Sequence, residues 1–309
     1  MVYICGPMGH PVKFADWAAP STVAARRAGF RDFVELGKPR LSGLVIFTAG
    51  IGVWMGDRSI APLSAATFVL ATACLVAAAN ALNCWIEVEI DALMERTRDR
   101  PLPAGRMESR LALVFGIALA ALSLMVLAVV SNPLTVTLGA AALISYVLVY
   151  TPLKRVTPWA LPVGAVPGAL PPLMGWTAAT GRVSTEGMLL FAILFCWQLP
   201  HFLAISLNLK EDFRRGGIRV LSLVAGDRVT RYCLFASTLL LTLVSVAAQP
   251  LGVAGTAYTV VAAALSVISI ALALPGLRRN VARDWSRRVF RFTLIHLPIL
   301  ITALVLGAR

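Results

Sequence analysis

Hydrophobic residues in this chain run in long unbroken stretches, and the polar residues are confined to the gaps between them. Crossing about 30 Å of hydrocarbon takes about 20 helical residues. Stretches of roughly that length occupy approximately 42–58, 62–86, 111–131, 133–150, 157–179, 187–208, 230–249, 252–275 and 288–307. The pattern predicts an all-α polytopic membrane protein with nine transmembrane helices. Residues 1–40 read as a polar N-terminal segment and 41–309 as one intramembrane domain. The fifth stretch carries Pro162, Pro167, Pro171, Pro172, Gly164, Gly168 and Gly175. Those residues predict a kinked helix that its neighbours approach closely. No strong internal repeat is present, although an acidic cluster follows both the second and the sixth stretch.

Composition agrees with a bilayer as solvent, since 58% of the 309 residues are hydrophobic and only 14% charged, against about 45–50% apolar in soluble domains. Charge adds orientation. Lys and Arg total 28 against 15 Asp and Glu. With the N-terminus in the cytoplasm, 25 of the 28 fall on the cytoplasmic side, and Arg58, Arg182 and Arg309 on the other. The positive-inside rule therefore predicts a cytoplasmic N-terminus and an outside C-terminus. The same basic loops lie beside anionic headgroups, which argues against nucleic acid as the partner. The five cysteines, Cys5, Cys74, Cys84, Cys196 and Cys233, show no C-x-x-C spacing and read as small core residues. Lys13, Asp16, Arg26, Arg27, Arg31 and Asp32 leave no clean apolar run for a signal peptide. Acidic residues among the arginines fit a mitochondrial transit peptide poorly, so the expected location is a bacterial cell (inner) membrane.

The second stretch ends in Asn80-Ala-Leu-Asn83-Cys-Trp-Ile-Glu87-Val-Glu89-Ile-Asp91. On a helix Asn83, Glu87 and Asp91 share one face, a ladder of hard oxygen ligands, while Glu89 points elsewhere. Magnesium takes one or two carboxylates and shares substrate phosphate oxygens, so the ladder suits a magnesium diphosphate. Arg96, Arg98, Arg100 and Arg106 follow at once, and guanidinium forks grip phosphate oxygens bidentately. The plain alternative is a helix end reaching water, where acids and arginines merely pair. Further polar nodes on the same predicted side are Tyr150-Thr-Pro-Leu-Lys154-Arg155 and Lys210-Glu211-Asp212-Phe213-Arg214-Arg215-Gly216-Gly217. Within the sixth stretch lies Phe195-Cys-Trp197-Gln198-Leu-Pro200-His201-Phe202, polar and aromatic groups inside a greasy helix. His10 lies in the tail, leaving His201 and His296 as possible metal ligands or as histidines bonded between helices.

On these residues the chain resembles the intramembrane UbiA-type prenyltransferases, and within them the branch that farnesylates haem. The resemblance covers about residues 35–300. The superfamily pattern N-x-x-x-D-x-x-x-D is met by Asn83, Glu87 and Asp91, with glutamate in place of the first aspartate. Specific to the haem branch are D-A-x-M-x-R-T-x-x-R-P-L at Asp91–Leu102, Y-T-P-L-K-R at Tyr150–Arg155, G-A-x-P-P-L-x-G-W at Gly168–Trp176 and W-Q-x-P-H-F at Trp197–Phe202. Gly37-Lys38-Pro39-Arg40 and the Glu211-Asp212-Phe213 run also match. The superfamily's second D-x-x-x-D motif is reduced here to Glu211-Asp212, which leaves a second metal site in question.

The resemblance implies nine helices around a central cavity, Mg²⁺ as cofactor, and farnesyl diphosphate and protohaem IX as substrates. It implies Asn83, Glu87, Asp91 and Lys154 as catalytic residues, and Lys38, Arg96, Arg100, Tyr150 and Arg155 on the diphosphate. It puts His201 and Trp197 on the haem, with Glu211 and Asp212 joining the carboxylate ladder as metal ligands. The lipid bilayer is the surroundings, and haem A synthase is a candidate protein partner. Two alternatives stand beside this: a prenyltransferase for another aromatic acceptor such as hydroxybenzoate, and a haem or small-molecule transporter. The W-Q-x-P-H-F block argues against the first. Transporters bind near the midplane, whereas these polar nodes gather at one mouth.

Overall fold

The computed structural model describes residues 28–56, 60–282 and 284–307, and the backbone of two short strands, β1 (Tyr3–Cys5) and β2 (Pro11–Lys13). The strands pair antiparallel, Tyr3 opposite Lys13, and are a small departure from the all-α expectation. His10, Arg58, Arg309 and most of the predicted N-terminal segment lie outside the described residues.

A short helix, α1 (Phe30–Leu36), leads into α2 (Pro39–Gly56) and α3 (Pro62–Ile86). Both open on proline, whose fixed φ and missing N–H suit a first helical turn. Glu87 separates α3 from the short α4 (Val88–Leu93). Next come α5 (Ser109–Val130) and α6 (Pro133–Ile144), joined by a tight turn in which the Asn132 side chain accepts from the Thr135 amide at 3.0 Å. α6 runs on through a π-helical turn, Ser145–Tyr150, into the single turn α7 (Thr151–Leu153). Then follow α8 (Ala160–Thr180), α9 (Thr185–Asn208), the short α10 (Lys210–Arg215) and α11 (Leu221–Val224). The chain closes with α12 (Gly226–Val246), α13 (Thr256–Ala273) and α14 (Trp285–Gly307).

Among the described residues, seven helical stretches are long and apolar enough to cross a membrane: Pro62–Ile86, Ser109–Val130, Pro133–Leu153, Thr185–Asn208, Gly226–Val246, Thr256–Leu277 and Trp285–Gly307. The other two of the predicted nine are helical but fall short by that measure. The apolar part of α2 is the shorter Ser42–Gly56. In α8 the internal Pro167, Pro171 and Pro172 and the glycines dilute the hydropathy. These two helices lie against each other, and their backbones touch through glycine. A Cβ on Gly52 would fall 2.1 Å from the Pro172 carbonyl oxygen, and one on Gly175 2.1 Å from that of Ala49. Small residues at such a crossing let helices associate by close backbone packing. Nearly every residue of α8 from Ala165 to Thr177 is buried, so this helix is core. Leu122, Met125 and Val129 on α5, Leu243 on α12 and Val267 on α13 are exposed, the outward apolar surface that lipid covers.

Candidate active site

The N-terminal parts of α2 and α8 and the C-terminal parts of α3 and α9, with the π-helical turn, line a cavity of about 440 Å³. Its depth is apolar, with Leu75, Val76, Leu143, Met174, Leu194 and Phe202 in the wall. At its mouth stand Lys38, Asn83, Glu87, Asp91, Arg96, Arg100, Tyr150, Lys154 and Arg219. An apolar chamber with convergent charge at one end is the ordinary form of a site for a long apolar ligand with a charged head.

The ladder at the mouth survives a break in its helix. α3 stops at Ile86, and Glu87 takes φ −106°, ψ 12°. The bonds Glu87 N to Asn83 O, 3.0 Å, and Asp91 N to Glu87 O, 2.8 Å, still carry the four-residue register across. Asn83, Glu87 and Asp91 are all buried, whereas Glu89 is exposed.

Each side chain of the ladder already meets a cation. Lys38 Nζ donates to Asn83 Oδ1 at 2.8 Å, and Asn83 Nδ2 donates to Glu87 Oε2 at 2.9 Å and to Thr151 Oγ1 at 3.1 Å. Lys154 Nζ donates to Glu87 Oε2 at 2.6 Å. Glu87 Oε1 is 2.5 Å from the same ammonium, and among the described residues this buried oxygen has no hydrogen-bond partner. Arg100 Nη1 pairs with Asp91 Oδ2 at 2.6 Å. The Arg96 side chain lines the mouth with no carboxylate partner among the described residues.

Electrostatics separate the two lysines. Burial, with Arg100 nearby, pushes the Lys38 ammonium below its ordinary range. Burial also opposes the charge on Lys154, but the Glu87 carboxylate prevails and raises it. Burial, followed by Arg100, lowers Arg96. Burial opposes the charge on Arg100 too, but Asp91, Cys84 and Glu87 together raise it. Lys38 is held in place by a strained backbone: its φ of 51° lies in the left-handed region, which costs a non-glycine residue about 1–3 kcal/mol. Such strain is most common at functional sites.

Tyr150 stacks on Tyr146 with centroids 5.5 Å apart, and Lys154 Nζ lies 5.5 Å from the Tyr150 ring centre. The π-helical turn carries both tyrosines. π-Helical turns occur frequently at functional sites.

Deeper in the cavity, α9 presents Trp197, Gln198, His201 and Phe202. The Trp197 and His201 rings stack, centroids 4.6 Å apart. Trp197 Nε1 donates to the Thr293 carbonyl at 2.8 Å, and His201 Nδ1 is 2.8 Å from Thr293 Oγ1. His296 lines a separate small void with Thr238 and Ser269, and neither ring nitrogen has a hydrogen-bond partner among the described residues.

The structure thus brings Lys38, Asn83, Glu87, Asp91, Arg96, Arg100, Tyr150, Lys154, Trp197 and His201 to one cavity. It does not bring Arg155, Glu211 or Asp212 to its walls. Glu211 pairs with Arg214 on the surface. Asp212 accepts from the amides of Glu95, at 2.8 Å, and Arg96, at 3.4 Å, so it anchors the arginine loop. Among the described residues no three His, Cys, Asp or Glu side chains converge. The donor set is two carboxylates, Glu87 and Asp91, which matches a magnesium ion shared with substrate phosphates and not an all-protein cage. Sequence reasoning passed over Thr151, which holds Asn83, and Tyr146. It also passed over Arg219, whose charge reads as an ordinary positive-inside residue.

The sequence profile of the UbiA prenyltransferase family matches residues 44–295. A protoheme IX farnesyltransferase of Anaeromyxobacter sp. (strain Fw109-5) is 54% identical over 279 residues, covering 90% of this chain and 94% of that protein. Among solved structures, one of a digeranylgeranylglyceryl phosphate synthase superimposes with a TM-score of 0.76 at 18% identity, covering 90% of this chain and 97% of the other. A UbiA homolog from Archaeoglobus fulgidus bound to GPP and Mg2+ does so with a TM-score of 0.60 at 16% identity, over 88% of this chain and 99% of that one. The chain belongs to the UbiA prenyltransferase family, in its protoheme IX farnesyltransferase branch.

Proposed function

We propose that this chain joins the farnesyl group of farnesyl diphosphate to a vinyl group of protohaem IX, with addition of water, giving haem O and diphosphate at the cavity described above. The observation that carries the reading is the buried Asn83–Glu87–Asp91 ladder, met by lysine and arginine at the mouth of an apolar chamber. Lys38, Arg96, Arg100 and Lys154 face the diphosphate and stabilise the charge that gathers on it as the C–O bond breaks. Such donors act most strongly in a dry site that needs no reorganisation. Glu87 and Asp91 would hold Mg²⁺; the buried Oε1 of Glu87, ion-paired with Lys154 but engaged in no hydrogen bond among the described residues, supports that fit. When bound, the metal supplies further charge neutralisation on the diphosphate oxygens.

The farnesyl tail lies along Leu75, Leu143, Met174 and Leu194, where apolar walls keep water from the allylic cation. A vinyl π pair of the haem forms the new C–C bond. The resulting cation, delocalised into the porphyrin, takes the oxygen of a water molecule, which releases one proton. His201 and Trp197 hold the haem. Asp212 keeps the arginine loop in place and stays off the metal, so the reading uses one metal site. We place the protein in the bacterial cell membrane with nine spans and the N-terminus in the cytoplasm, supported by the 25-to-3 partition of Lys and Arg.

The test is to incubate the purified protein in detergent with farnesyl diphosphate, Mg²⁺ and haem, measuring diphosphate release and the mass of extracted haem. Hydroxyethylfarnesyl haem is the expected product. Diphosphate release only when hydroxybenzoate replaces haem would overturn the assignment of acceptor.

A further inference from the structure

We propose that Thr293 fixes the tautomer of His201, so that His201 Nε2 enters the cavity as a bare lone pair and takes the haem substrate by its iron; this rests on the reading of the cavity as the haem site. Thr293 lies on α14, outside the cavity wall, and belongs to none of the motifs singled out above. Its hydroxyl donates to the Phe290 carbonyl at 2.6 Å. A hydroxyl carries one hydrogen, so with that hydrogen spent the oxygen can only accept. His201 Nδ1, 2.8 Å away, must therefore supply the hydrogen between them. A neutral imidazole has one N–H, which leaves Nε2 as the acceptor.

The ring is also held against rotation. It stacks on Trp197 with an interplanar angle of 22° and lies 5.0 Å from the Phe290 ring. The Trp197 indole N–H is fixed to the carbonyl of the same Thr293 at 2.8 Å. One residue of α14 thus anchors two of the aromatic side chains that α9 turns into the cavity, Trp197 and His201. Among the described residues His201 is the only imidazole in the cavity wall.

This arrangement separates two ways of holding haem. An acceptor-only Nε2 repels an ionised propionate, which needs a donor, and suits a Lewis acid such as iron. Histidines that bind metals regularly donate their other N–H to an outer partner that sets tautomer and orientation. Thr293 is such a positioning residue, acting through His201 without touching the substrate.

The chain has three histidines, so selective ¹⁵N-histidine labelling of the detergent-purified protein gives a spectrum in which His201→Ala identifies one ring. Without haem, that ring should show a protonated Nδ1 and an unprotonated Nε2. In Thr293→Val this preference should be lost, and in Thr293→Ser retained. Haem titration followed by its Soret band should show Thr293→Val weakened about tenfold or more, as for other outer-sphere partners. Thr293→Ser should stay near the parent value, with farnesyl diphosphate binding unchanged in both. A protonated Nε2 in the parent protein overturns the inference, and needs no Thr293 variant to fold. So does parent-like haem affinity in Thr293→Val when His201→Ala is weakened, an outcome that leaves the haem site itself standing. Parent-like haem affinity in His201→Ala instead removes the haem-site reading and the inference with it.

Discussion

Replacing Lys154 by methionine separates what the Glu87–Lys154 pair does for the fold from what it does for the reaction. Lys154 is 16% and Glu87 3% exposed, and they lie 2.6 Å apart along the hydrogen bond. Methionine keeps most of the volume and removes the charge. Glu87 would then be a buried carboxylate with only the Asn83 amide, at 2.9 Å, for company. Removing one partner of a buried ion pair costs about 3–5 kcal/mol, whereas replacing both by neutral groups is close to neutral. Lys154→Met should therefore lose several kcal/mol, and Glu87→Gln/Lys154→Met should regain most of it, since a glutamine oxygen still accepts from Asn83. Neither variant should turn over farnesyl diphosphate.

Unfolding by SDS titration in mixed micelles, run on the parent, both single variants and the double, closes the thermodynamic cycle. A coupling energy well above the roughly 0.5 kcal/mol of independent sites is expected. A double variant as unstable as Lys154→Met would refute the reasoning. It would mean that the lysine packs against Tyr150 and the chamber wall in its own right, and that Glu87 is solvated some other way.

Three further outcomes are expected. Glu87→Gln and Asp91→Asn should each abolish turnover at saturating Mg²⁺ while folded protein still accumulates in the membrane; near-normal activity in either removes that residue from the metal site. Gly52→Ala should destabilise the α2–α8 crossing by about 1–3 kcal/mol or more, as overpacking does, because its new Cβ meets a rigid backbone carbonyl at 2.1 Å; an unchanged SDS midpoint would contradict the packing. Cysteines placed at Asp99 and Ala225 should be labelled from the same, cytoplasmic face of inverted vesicles, and labelling from opposite faces would sink the nine-span topology.

The membrane character and most helix positions were legible because a bilayer imposes a length and a composition on every span. α2 and α8 show the limit of that signal. Their glycines and prolines were visible, but only the packed structure reveals that these residues serve a backbone-to-backbone contact, which lowers the hydropathy of the most enclosed helix. At the mouth, the period of four in Asn83, Glu87 and Asp91 survived a helix break at Glu87 that no local pattern announces. The role of Asp212 was not legible. A carboxylate that binds metal and one that caps two loop amides look alike in sequence, and the partners Glu95 and Arg96 lie over 100 positions away. Thr293 was hidden for the same reason, since its use depends on where α14 meets α9.

The mouth is built so that the same charges serve two states. Two carboxylates and five cations, Lys38, Arg96, Arg100, Lys154 and Arg219, line the cavity. Without substrate the carboxylates act as counter-ions, and Lys154 and Arg100 are held desolvated and aligned by them. A diphosphate brings several negative charges and its metal brings two positive ones, so each carboxylate can pass from cation to metal while each cation passes from carboxylate to phosphate. Little net charge is stranded at any point, which is what a low-dielectric site demands. Glutamate at position 87 fits this exchange better than the shorter aspartate of the wider superfamily. Its extra methylene lets one carboxylate reach Lys154 beyond α7 while still meeting the Asn83 amide one turn back on α3.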